Sequence, residues 1–79
     1  MNVQTTDTLQ EIFRAVFELP AGADVTGVRQ LNTPTWDSVA HVALVTAIES
    51  EFGITVDAAD QLRMTSYAST ALLMEERGL

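Results

Sequence analysis

Leu9, Ile12, Phe13, Val16 and Phe17 fall at the i, i+3, i+4, i+7 and i+8 positions of one helical stripe. The spacing predicts a helix over Thr6–Leu19, with Asp7 as its cap and Pro20 and Gly22 as its stop. The pattern then lapses. Residues 20–36 contain both prolines, two glycines and several Thr, Asn and Asp residues, which predicts a long loop with room for a short helical turn. Val25, Val28 and Leu31 are its expected anchors. Helical periodicity resumes over Asp37–Phe52, where Val42, Val45, Ile48 and Phe52 form a seam widened by Leu44, and Gly53 suits the C-terminal cap. Ile54 and Val56 lie in an extended link. Asp57 is the expected N-cap of a brief helix over Ala58–Met64, and Ser66 that of a last helix over Tyr67–Arg77. In that helix Tyr67, Ala71 and Met74 share a face with Ala68 and Leu72 alongside, and Arg77 suits its C-terminal dipole. No segment shows strand alternation.

The expected fold is therefore all-α: an antiparallel-type four-helix bundle with three main helices, a short third helix and a long first loop. Seventy-nine residues make a single domain, 1–79, whose core is marginal for its size. There is no cysteine, so packing of the 47% apolar residues must supply the stability. Phe13, Phe17, Phe52, Met64 and Met74 read as core.

Charge narrows the partners. Eleven acidic residues against four arginines, with no lysine, give a net charge of −7. That field repels nucleic acid and anionic membrane surfaces and suits either basic patches on partner proteins or simple solubility. No apolar run approaches the roughly 20 residues that span a bilayer. The polar stretch Met1–Asp7 lacks a signal core, so the expectation is a cytoplasmic protein that does not bind membranes.

The candidate chemistry lies in Trp36-Asp37-Ser38-Val39 at the mouth of the second helix. A serine with an acid beside it at a helix N-terminus has two readings. One is capping alone, with Asp37 accepting a backbone N–H. The other is an anion attachment point, where free N–H groups and the helix dipole favour a phosphodiester on Ser38. With one histidine and no oxyanion loop, a hydrolytic triad is not supported. His41 lies one turn from Ser38, either as an exposed surface residue or as a partner contact. Trp36 either covers the loop against the core, acting as a staple near Ala40, or contacts a ligand or partner. Glu49 and Glu51 either solvate the helix end or meet a basic partner.

Residues 36–54, running from Trp36-Asp37-Ser38-Val39 through the apolar helix to Glu49, Glu51 and Phe52, resemble the second helix of acyl carrier proteins. Helix order, length and acidity agree with that family over about residues 6–74. The resemblance implies a carrier rather than an enzyme. Ser38 would bear 4'-phosphopantetheine from coenzyme A, and Asp37 would help place magnesium and phosphate in the complex with a phosphopantetheinyl transferase. Acyl groups would ride on the arm as thioesters. Val39, His41, Val42 and Glu49 would meet partner enzymes, among them an acyltransferase, ketosynthase or acyl-activating enzyme, with the carrier a monomer. Ala40 and Ala43 stand where fatty-acid carriers usually hold acids, which favours a specialised pathway such as polyketide synthesis. Thr35-Trp36 replaces the Gly-Gly usual in peptidyl carriers, which makes an aminoacyl or peptidyl carrier the alternative. An unmodified helical interaction module is the other.

Overall fold

A computed structural model describes all 79 residues, Met1–Leu79. It contains four α-helices and no strand: α1 (Val3–Val16), α2 (Ser38–Phe52), α3 (Ala58–Arg63) and α4 (Tyr67–Glu76), with one 3-10 turn, Gln30–Asn32, in the long loop. The all-helical expectation, the element order, the short third helix and the long first loop match this architecture.

The caps explain most of the boundaries. Asp37, Asp57 and Ser66 cap α2, α3 and α4, each side chain accepting the N–H three residues on. Gly53 ends α2 in the left-handed conformation, with φ of 64°. The start of α1 differs from expectation. Asn2, not Asp7, is its cap, with Oδ1 accepting the Thr5 N–H at 2.7 Å, and Asp7 lies exposed inside the helix. An N-terminal asparagine can cap before any apolar residue announces the helix. The end of α1 also comes early. Glu18 takes a left-handed φ of 57°, and the Leu19 N–H reaches back to the Arg14 carbonyl at 2.9 Å, which closes the helix before Pro20.

Phe13 is the centre of the core. Its ring lies 5.4 Å from Phe17, 5.8 Å from Trp36 and 5.2 Å from Tyr67, so one side chain joins α1, the loop and α4. Leu9, Ile12, Val25, Leu44, Val45, Ile48, Val56, Met64, Leu73 and Met74 complete the buried apolar interior. Four sequence expectations are corrected here. Leu31 is 96% exposed, because the 3-10 turn directs it outward rather than into the core. Val42 is 63% exposed, so the apolar seam of α2 runs through Leu44, Val45 and Ile48. Ala68 and Leu72 face solvent, and Thr70 and Leu73 take the inward places, Thr70 Oγ1 donating to the Ser66 carbonyl. Phe52 is only half-buried, in the last turn of α2. Phe52→Ala should therefore cost about 1–2 kcal/mol, below the 3–5 typical of a fully buried phenylalanine, as read from urea denaturation.

The helix α3 buries none of its residues and packs chiefly on α4. Two arginines hold it there. Arg77 bonds to Asp60 and to the Thr55 carbonyl, and Arg63 makes a two-pronged pair with Glu76 at 2.8 Å. The Arg63 hydrogen bonds hold the Glu76 carboxyl below its ordinary value of 4.5 and raise the guanidinium. A carboxyl lowered on folding adds stability above its unfolded value and loses it as pH falls through its folded value. The acid limb of a pH–stability profile should thus be shallower in Glu76→Gln below about pH 4.5, and indistinguishable in shape from the parent above pH 6.

The long loop is anchored rather than free. The Gln30 N–H donates to the Thr65 carbonyl and the Tyr67 N–H to the Val28 carbonyl, both at 2.9 Å, which pins the loop to the α3–α4 junction. Thr35 Oγ1 donates to the Phe17 carbonyl at 2.9 Å and caps the end of α1. These ties set the approach of the chain to Trp36 and the head of α2.

Candidate functional site

Ser38 is the first residue of α2 and is exposed. Asp37 has extended backbone, and its Oδ1 accepts the Ala40 N–H at 2.8 Å. One of the free N–H groups of the helix start is thereby satisfied. The Ser38 and Val39 N–H groups have no protein acceptor, and the Ser38 hydroxyl makes no hydrogen bond within the chain. The arrangement presents an unencumbered hydroxyl at the positive end of a four-turn helix, where an attached phosphodiester would be stabilised. Asp37→Ala should cost about 1 kcal/mol by loss of the cap, while Asp37→Asn, which keeps the acceptor, should stay within a few tenths in the same urea titration.

Beside the serine runs an open groove of about 430 Å³ between α2, α3 and the pinned loop. Ser38, His41 and Val42 line it from α2, Gln61 and Leu62 from α3, and Thr65 from the α3–α4 junction. Val39 and Leu62 are 78% and 82% exposed, so apolar side chains flank the hydroxyl on two elements. No carboxylate or guanidinium lines the groove; its polar side chains are amide, hydroxyl and imidazole. No group of His, Asp and Glu side chains is placed to hold a metal.

The structure brings Asp37, Ser38, Val39, His41 and Val42 together at the head of α2. Glu49 stands apart, eleven residues on and about 16 Å along the helix axis. Its Oε2 accepts the Val56 N–H at 2.9 Å and ties the end of α2 to the following link. Glu51 is exposed near that same end.

His41 is not the exposed surface residue its position suggested. It is half-buried, stacked beside Trp36, and both ring nitrogens are engaged: Nδ1 with Trp36 Nε1 at 3.1 Å and Nε2 with the Gln61 carbonyl at 3.1 Å. Trp36 itself is 4% exposed and lies 4.4 Å from the Phe17 ring in a stacked pair, so it covers the core. Gln61, Leu62 and Thr65 were not singled out by sequence. They reach the groove through the loop anchoring and the turn of α3, contacts more than twenty residues apart along the chain that leave no local periodic signal.

No protein-family model matches the chain, and neither a curated protein nor a solved structure matches it.

Proposed function

We propose that the protein is an acyl carrier whose Ser38 bears 4'-phosphopantetheine. The observation that carries this reading is the exposed, unbonded Ser38 hydroxyl at the capped head of α2, beside a groove, at the place that the resemblance to acyl carrier proteins assigns to the attachment serine. The residues fit the group: the Ser38 and Val39 N–H groups are unpaired at the helix start, where an anion is favoured, and the groove is partly apolar and free of carboxylates and guanidinium groups, as an uncharged arm requires.

In this reading a phosphopantetheinyl transferase joins Ser38 Oγ to the phosphorus of coenzyme A that bears the pantetheine. A P–O bond of the pyrophosphate breaks, and adenosine 3',5'-bisphosphate leaves. The serine proton passes to a base of the transferase, since both nitrogens of His41 are already occupied. Asp37, whose Oδ1 is taken by the Ala40 N–H, would help place magnesium and phosphate in that complex through its remaining carboxylate oxygen. The bound arm supplies a thiol, which this cysteine-free chain lacks, to hold an acyl group as a thioester. Val39 and Val42, both exposed in the first turns of α2 after Ser38, offer partner enzymes an apolar face beside the attachment point.

The test is intact mass before and after incubation with a broad-specificity transferase, magnesium and coenzyme A. A gain of one phosphopantetheine is the expected result. A folded, initially unmodified protein that gains nothing would leave a helical interaction module as the better reading. If the arm is gained, loading by an amino-acid-activating enzyme rather than an acyltransferase would identify an aminoacyl carrier.

A further inference from the structure

We propose that Trp36, His41 and Gln61 form a proton-sensitive clasp, with His41 as the positioning residue that ties the long loop and α3 to the head of α2. Indole N–H can only donate, so His41 Nδ1 must accept and carries no proton. The ring proton is then on Nε2, which donates to the Gln61 carbonyl. That bond is the one side-chain hydrogen bond between α2 and α3. It ties α2 to the wall of the groove opposite Ser38, a wall that Arg63 and Arg77 hold on α4 from the other side.

A second ring proton changes one side of this chain and not the other. On the Gln61 side, a cationic Nε2–H still donates and does so more strongly. On the Trp36 side, Nδ1–H would face the indole N–H, donor against donor, and that bond is lost. The buried indole has no other acceptor, so its N–H must either stay unpaired or turn toward solvent. Trp36 leads directly into Asp37 and Ser38, so a turn of the indole alters how the serine is presented.

Most charged groups of the elements around His41 are committed elsewhere; on α2 itself Glu49 accepts the Val56 N–H and Glu51 is exposed at the far end. Asp37 of the loop caps Ala40, and Asp57 caps Asp60. Asp60 bonds Arg77, Arg63 bonds Glu76, and Arg29 of the loop is exposed. No carboxylate pairs with the imidazole, which leaves the indole as the group that senses its protonation.

Only the consequence for Ser38 rests on the carrier reading; the clasp is read without it. The experiment therefore uses 15N-labelled protein never exposed to a transferase. NMR follows the single indole N–H and the imidazole nitrogens of the single histidine as the solution is acidified. The expected result is Nε2–H imidazole at neutral pH, then a shift of the indole signal in step with imidazole protonation and exchange about five- to tenfold faster than in His41→Asn at the same pH, the equivalent of one net hydrogen bond. In His41→Asn the amide oxygen stands in for Nδ1 and cannot titrate, so the indole signal should be flat over the same range. In His41→Gln, which mimics Nε2 instead, the indole should exchange fast at every pH. An indole signal unmoved while the imidazole protonates would overturn the clasp. So would an Nδ1–H imidazole at neutral pH, or a ring that stays neutral wherever the chain is folded. A silent indole leaves the carrier reading intact, and failure of the mass assay leaves the clasp intact.

Discussion

Ser38→Ala is expected to fold with a stability within about 0.5 kcal/mol of the parent and to take up no phosphopantetheine at all. The two halves of this prediction have separate causes. Stability is preserved because the hydroxyl is exposed and makes no hydrogen bond within the chain, and because alanine is the best helix former at an exposed helical position. The cap is untouched, since it belongs to Asp37. Modification is lost because the attacking oxygen is gone, and no other serine shares its setting. Ser66 and Ser69 are half-buried and satisfy one another in the capping box of α4. Ser50 is exposed, but it lies in the fourth turn of α2, where the backbone N–H groups are paired within the helix and the dipole no longer favours an anion. Intact mass and a thermal melt on the same sample read both halves. A gain of mass in a folded Ser38→Ala protein would move the attachment to another residue and remove the reason for reading the head of α2 as the site.

Phe13→Ala should unfold the domain or leave it without fixed packing at 37 °C. Removal of a fully buried phenylalanine costs about 3–5 kcal/mol through lost burial and the cavity left behind. The whole stability of a domain this size is on the order of 4–12 kcal/mol. Phe13 is also a worse place than most for a hole. It is the ring that Phe17, Trp36 and Tyr67 all touch, so its loss loosens α1, the loop and α4 together, and no single neighbour can collapse to fill the space. Near-ultraviolet circular dichroism and the emission of the sole tryptophan are the measurements. Both should lose their native signature while some helical far-ultraviolet signal remains. Phe13→Leu, which keeps most of the volume, should fold with a smaller loss. A Phe13→Ala protein with native near-ultraviolet spectra and a melting temperature close to the parent would show that this ring is not the keystone of the core.

The loss of Phe13 should also reach the groove. Trp36 stands between the Phe13 and Phe17 rings on one side and His41 on the other. A core that no longer holds the indole in place removes one of the two hydrogen bonds of the imidazole that joins α2 to α3 across from Ser38. Stability of the interior and the shape of the proposed site are therefore coupled through one side chain.

What the sequence determined by itself was local. The four α-helices, their order and three of their N-caps follow from periodicities of 3.6 and from Asp or Ser at the right offset, because capping and amphipathic burial act within four residues of a position. The candidate serine was legible for the same reason: Asp37-Ser38 at a helix mouth is a feature of a few consecutive residues. Where local signals competed, the reading failed. Asp7 had the chemistry of a cap, but Asn2 stood five residues earlier and α1 began there. Periodicity also put Val42 in the apolar seam of α2 and Leu72 alongside the Tyr67–Met74 face of α4, yet both are exposed, since an apolar helix leaves open which of its faces the neighbours cover. The tertiary structure alone decided the rest. It turned Leu31 outward, brought Gln61, Leu62 and Thr65 to face Ser38, and drew His41 from the surface into a chain of hydrogen bonds between the loop and α3. Those arrangements join residues five to more than thirty positions apart, and their partners are fixed by how helices pack rather than by any spacing a single segment can carry.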